Sequence, residues 1–413
     1  MQTIAQRLSR LLFFTNDGLL LHPVERIFHL HGQVGHAFFT GDAFQFNQFH
    51  HDFFGCAFLD QRKHISHLLY QNIIGTDAHK FRTGFSLSAD RYNEQYKAQP
   101  FRRKEVVPGG FFEYTFAPGE KFSAVAGLRA DYNNLFGLFA TPRLNLRYEP
   151  VSGTVVRVNA GRGQRTANIF AENIGALVSS RTVNILGATA GKAYGLDPEV
   201  AWNKGVSVDQ KLKLFGREAT ASVDFFRTDF TNQVVVDYED PRQVQFYNLN
   251  GKSYSNSLQA ELDVTPVKSF DVRLAYRWFD VKTTYGNDLL QKPLTAKNRA
   301  FANLAYELKD WKFDYTVNLV GQKRIPSTEG NPKDFQLAAY SPNYVTMNAQ
   351  VSKSFGKSKT FEWYLGGENL TNYFQQNVIL SAGQPFSPYF DASLIWGQVT
   401  GRQLYTGFRY KLK

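Results

Sequence analysis

Five polar side chains lie close together in the stretch RGQRTANIFAENIGALVSSR: Arg162, Arg165, Glu172, Asn173 and Arg181. A guanidinium fork grips a carboxylate or phosphate through two hydrogen bonds at once, so three arginines beside a carboxylate and an amide make a candidate binding site for a polar ligand. The same groups can instead cap a helix and tie a loop down, and both readings stay open. Ala167, Phe170, Ala171, Ile174, Leu177 and Val178 recur at helical spacing and predict a short amphipathic helix through this stretch. Asp237, Glu239 and Asp240 form an acidic group whose oxygens would suit calcium or simply a solvated loop. His50 and His51, with His64 and His67, follow no standard ligand spacing, so no metal site is expected. Pro385, Pro388 and Trp396 mark an aromatic loop, read either as a ligand platform or as an interface anchor.

No catalytic constellation accompanies these groups. Gly-x-Ser-x-Gly, Walker A and HExxH motifs are missing from the sequence. All nine histidines lie at or before His79, which removes the commonest general base from the rest of the chain. The expectation is a binding protein with no cofactor, not an enzyme.

The elements that must position these groups are strands. From Val206 to Phe226 the apolar residues Val206, Val208, Leu212 and Leu214 alternate with Ser207, Asp209, Lys211 and Lys213. Gly216-Arg217 turns the chain, and Ala219, Ala221, Val223 and Phe225 then oppose Thr220, Ser222 and Asp224. Period two is the signature of a strand with one apolar and one polar face. Each arm reads as about nine or ten residues, the length of a tilted strand that crosses a bilayer. From His79 onward this unit repeats to give about fourteen strands, including Val272, Leu274, Tyr276 and Trp278 against Asp271, Arg273 and Arg277.

The connections alternate in length. Short turns at Ala117–Glu120, Pro150–Gly153, Gly216-Arg217, Pro266–Ser269, Lys309-Asp310 and Gly356–Thr360 interleave with long loops at Asn93–Arg103, Asn133–Thr141, Arg162–Asn203, Thr231–Gly251, Thr283–Thr295, Lys323–Asn343 and Leu370–Gly401. Outer-membrane barrels show this rhythm, with short periplasmic turns and long extracellular loops. Sandwiches and propellers have no reason to.

Composition bounds the reading without deciding it. The 413 residues carry a net charge of +11, one cysteine (Cys56) and 15% aromatic residues. No run of 18 apolar residues exists, so no membrane-spanning helix is expected. One cysteine excludes a disulfide within the chain. Basic blocks interleaved with a nucleic-acid-binding module are missing, so no nucleic-acid partner is expected. Residues 1–65 differ from the remainder: phenylalanines cluster without alternation, Met1–Leu21 is a poor signal peptide, and the segment is expected to be disordered or non-homologous. Residues 66–413 are expected to form the barrel portion.

Three further stretches, GGENLTNYF (Gly366–Phe374), PYFDASLIWGQV (Pro388–Val399) and GRQLYTGFRYKLK (Gly401–Lys413), close the chain. With VVVDYEDPRQVQFYNLNG (Val234–Gly251) and the arginine-rich stretch above, they resemble the C-terminal barrel portion of TonB-dependent outer-membrane receptors. The resemblance covers roughly Ser66 to Lys413. It implies an antiparallel transmembrane β-barrel of 22 strands around an N-terminal plug, located in the cell outer membrane among its lipids. It also implies uptake of a small nutrient of the siderophore, cobalamin or glycan class, driven by the TonB-ExbB-ExbD complex. The chain departs from that pattern: no plug-like region or TonB box is found, about eight strands are missing by subtraction, and Lys413 stands where an aromatic residue is common. The expectation is therefore a truncated receptor barrel. Its alternatives are a passive fourteen-stranded channel or a soluble all-β binding protein.

Overall fold

An extended backbone sends successive side chains to opposite faces, and the computed structural model keeps that separation through the strands whose side chains are described. It describes residues 65–356 and 358–412 in full, and the strand segments 24–30, 33–40, 48–49 and 59–64 as backbone only. The sheet begins with β1 (Val24–Leu30), β2 (Gln33–Thr40), β3 (Gln48–Phe49) and β4 (Leu59–Gly75). It continues through β5 (His79–Tyr96), β6 (Gln99–Gly119), β7 (Phe122–Asn133), β8 (Gly137–Tyr148) and β9 (Thr154–Arg165). A loop holding one helical turn, α1 (Ile174–Leu177), and the short β10 (Thr182–Ile185) leads to β11 (Glu199–Leu214) and β12 (Arg217–Asn232). After the loop strands β13 (Val234–Asp237) and β14 (Gln243–Asn248) come β15 (Ser253–Val267), β16 (Phe270–Tyr285), β17 (Asp288–Gln291) and β18 (Asn298–Leu308). The chain ends with β19 (Trp311–Val320), β20 (Tyr344–Phe355), β21 (Phe361–Glu368) and β22 (Gln403–Tyr410).

Long strands pair antiparallel with their chain neighbours, in the meander that a barrel wall requires. From His79 onward fourteen of them run the length of the wall, the short β17 aside. Among the described residues no helix is long and apolar enough to cross a membrane. The strands run further than the apolar arms suggested: β11 and β12 each have 16 residues. Backbone pairing continues past the apolar band into polar segments that stand above it.

One face of this wall is apolar and unburied. Phe85 is 52% exposed, Leu128 55% and Leu404 74%. A contiguous apolar surface of this extent is unfavourable in water and favourable against lipid. At the short-turn end aromatic rings follow one another across strands: Phe116 to Phe122 to Tyr148, Phe270 to Tyr306 to Phe313, and Phe355 to Phe361 to Phe408. Such a row is the interfacial girdle of a membrane barrel.

The opposite, inward face is polar and laced with ion pairs. Glu113 lies between Arg82 and Arg143. Arg157 pairs with Asp209, Arg273 with Asp263 at 2.5 Å, and Arg409 with Glu362 at 2.6 Å.

Turn geometry departs from the sequence expectation in three places. The β11–β12 turn is centred on Phe215 and Gly216, both at positive φ (54° and 73°), not on Gly216-Arg217. This type I′ geometry matches the right-handed twist of the flanking strands and suits glycine. Asn93–Arg103 and Asn133–Thr141, expected as long loops, are mostly strand. The turns themselves are residues 97–98 and 134–136. Tyr92 and Tyr96 are buried at the tall β5–β6 tip, so tertiary packing extends the strands there.

Candidate functional site at the long-loop end

The connections of β9–β11 and β12–β15 fold together into a small unit above the wall. Its three-stranded sheet has the order β10-β14-β13, with β10 and β14 parallel. Beneath it sits a buried cluster of Tyr96, Ile169, Phe170, Leu177, Leu196, Val244 and Phe246, with Phe170 and Phe246 fully buried. Phe170 is ringed by Tyr96 (centroids 5.1 Å), Phe101 (4.9 Å), Tyr194 (5.6 Å) and Phe246 (6.5 Å). The sequence supplied no sign of the sheet, whose strands are only four to six residues long.

The predicted helix shrinks to a 3₁₀ turn (Ala171–Asn173) followed by α1, which has four residues. Ala167, Phe170 and Leu177 are buried as helical spacing suggests, but Ile174 and Val178 are exposed, and Ile169 and Ala176 are buried instead. One turn cannot hold a 3.6 period; the neighbours on each side select what is covered.

The five candidate residues do not converge on one cavity. Arg165 donates to both oxygens of Glu172 at 2.9 Å and to Glu199 at 2.6 Å. Asn173 donates to the Ile169 carbonyl. Arg162 has outward parity and donates to the Ala140 carbonyl at 2.6 Å. Arg181 is buried elsewhere: it bonds Asp391 at 2.8 Å and the carbonyls of Tyr238, Asp240 and Gln243. It thereby ties the arginine-rich loop to the final long loop across 210 residues of sequence.

The acidic group is engaged by the protein itself. Glu239 receives both guanidinium nitrogens of Arg324, at 2.7 and 2.9 Å. Asp237 accepts the Tyr247 hydroxyl, and Asp240 accepts the Arg242 amide. In the aromatic loop Arg242 lies over the Tyr389 ring at 4.3 Å and bonds the Pro388 carbonyl and Asn331. The Trp396 carbonyl accepts from Lys323. Among the histidines, His50, His51 and His64 lie outside the residues whose side chains are described.

These contacts interlock five loops into a preformed cap. At its base, on the inward face of β18 to β22, is a cavity of about 380 Å³ lined by Arg299, Phe301, Asn318, Tyr344, Asn348 and Glu368. A second hollow of about 270 Å³ lies beside it, lined by Gln259, Glu261, Arg273, Arg277 and Arg299. Sequence reasoning missed this site, because its residues come from strands whose registry only folding sets.

Burial also perturbs the cap's tyrosines. It pushes the Tyr96 hydroxyl up to about 12. It does the same to Tyr238, to about 12, against a smaller opposing effect of Arg181. A folded value above the usual value near 10 means the stabilisation is intact below pH 10 and is lost as pH rises through 12. A titration followed at 295 nm should therefore show a resistant class of tyrosines that ionises only near pH 12, as the cap opens. Complete ionisation by pH 11 with the cap still protease-resistant would contradict this.

No curated protein sequence matches the chain. Among solved structures, the copper transporter OprC aligns with a TM-score of 0.61 at 13% identity, over 92% of this chain and 61% of OprC. A mutant of the ferric enterobactin receptor PfeA from Pseudomonas aeruginosa gives 0.61 at 11% identity, over 92% and 59%. The siderophore receptor PirA from Acinetobacter baumannii gives 0.61 at 11%, over 92% and 59%. The chain thus spans about three fifths of the length of these receptors. The family description "TonB dependent receptor-like, beta-barrel" matches residues 13–370. With its lipid-facing apolar band, aromatic girdle and polar inner wall, the chain belongs to the TonB-dependent receptor β-barrel family of the outer membrane.

Proposed function

We propose that this chain forms wall and mouth of a receptor that captures a small nutrient outside the cell, with passage driven by the TonB-ExbB-ExbD complex. The nutrient class favoured is a metal chelate of the siderophore type, over cobalamin or a glycan. One observation carries the reading: the long loops are locked by buried arginines into a cap, with a polar cavity at its base on the inner wall. A preformed concave polar site suits ligand capture, since little ordering entropy remains to be lost on binding. That the solved neighbours include siderophore and copper proteins supports the class. In this reading Arg165, Glu172, Asn173 and Arg181 hold the loops in shape, and Arg162 braces β9 against β8.

Trp396 at the cap base gives an intrinsic reporter. Titrating the detergent-solubilised chain with ferric enterobactin, cyanocobalamin and a maltodextrin should give saturable fluorescence quenching with the ferric chelate alone. Saturation with one of the other two would move the ligand class. A steady conductance in planar bilayers with no binding would instead establish the passive channel.

A further inference from the structure

The registers of β15 to β20 place one row of inward residues side by side. Gln259 faces Arg277, Arg277 faces Arg299, Arg299 faces Val320, and Val320 faces Tyr344. Two arginines are therefore direct cross-strand neighbours on the water-facing side of the wall. Like charges placed directly opposite are destabilising. Five other inward arginines on this wall, Arg82, Arg143, Arg157, Arg273 and Arg409, each hold a carboxylate. Arg277 and Arg299 make no side-chain hydrogen bond or ion pair among the described residues.

The nearest carboxylates are turned to other partners or set apart. Asp263 is taken by Arg273. Glu261, one row along, accepts from the Gln259 amide. Asp224 is separated from Arg277 by the Gln259 strand. Glu368 lies across the larger cavity. Meanwhile the Arg277 guanidinium rests on the Phe279 ring at 4.2 Å, which braces its face and leaves its N–H edges open to the lumen. Arg299 borders both hollows, and Lys323, at the cap base, feels its charge.

We propose that Arg277 and Arg299 form an anion-binding site on the inner wall, taking a small oxyanion with at least two acceptor groups, such as a polycarboxylate or a phosphate. This rests on the receptor reading and narrows it: the captured ligand carries negative charge past the cap along this wall. Two guanidiniums side by side offer paired forks, and an oxyanion between them converts their repulsion into two charge-assisted contacts.

Calorimetric titration of the full chain in detergent micelles, with citrate and with pyrophosphate as probes, tests the site. Saturable binding of either is expected, the tighter one naming the carboxylate or phosphate class. Arg299→Gln and Arg277→Gln should each weaken it about tenfold or more. Each variant should also melt higher than the parent in anion-free buffer, because the opposed charge is gone. Arg277→Lys keeps the charge without the fork and should fall between. Unchanged affinity in both glutamine variants, or no saturable binding to the parent, overturns the site. Failure of the chain to enter lipid vesicles would be a different result and would strike the receptor reading itself.

Discussion

Replacing Arg181 with alanine should release the final long loop from the cap at a cost of about 3–5 kcal/mol, the penalty for leaving one member of a buried ion pair without its partner. The side chains of Arg181 and Asp391 are 1% and 7% exposed, so water cannot replace the lost contact. Three backbone carbonyls lose a donor in the same step. The expected readout is new protease cleavage within residues 166–198 and 369–402, while the wall keeps its heat-modifiable migration on gels. Arg181→Lys retains the charge but cannot span Asp391 and the carbonyls together, so a smaller loss is expected. An Arg181→Ala cap as resistant as the parent's would show that the buried pair is dispensable.

Phe170→Ala should be comparably damaging, about 3–5 kcal/mol, because removing a fully buried ring loses its transfer energy and leaves a cavity. Four aromatic neighbours surround that ring, and two of them, Tyr96 and Phe101, are held on the paired strands β5 and β6, which resist collapse into the space. Amide exchange in β10, β13 and β14 should quicken by the corresponding factor while β11 and β12 stay protected. Ile174→Ala is the internal control: Ile174 is 37% exposed, so a change within about 0.5 kcal/mol is expected. Equal effects of the two substitutions would mean the cap has no core of its own.

These two positions mark the boundary of what the sequence could show. Alternation such as Val272, Leu274 and Tyr276 against Asp271, Arg273 and Arg277 is legible because it follows from the covalent geometry of an extended chain. Arg181 stood out by its residue type, but its partner lies 210 positions away, and no local pattern encodes that distance. The reading of Asn93–Arg103 as a long loop failed because polar residues near a turn look alike whether they dissolve or pack. There Arg103 lies over the Tyr92 ring at 3.5 Å and pairs with buried Glu94. The Arg277–Arg299 juxtaposition was invisible for a third reason: it depends on register, which the pairing of whole strands decides.

One face of the wall meets lipid and the other meets water, a division that site-specific labelling reads directly. Its most direct test replaces Cys56 with serine and places single cysteines at Asp271, Val272, Arg273, Leu274, Ala275 and Tyr276, each carrying a fluorophore. In vesicles, brominated acyl chains should quench labels at 272, 274 and 276, and an aqueous quencher should reach those at 271, 273 and 275. Six labels all quenched from the aqueous phase, with no effect of the brominated lipid, would contradict the account and return the chain to a water-soluble sheet.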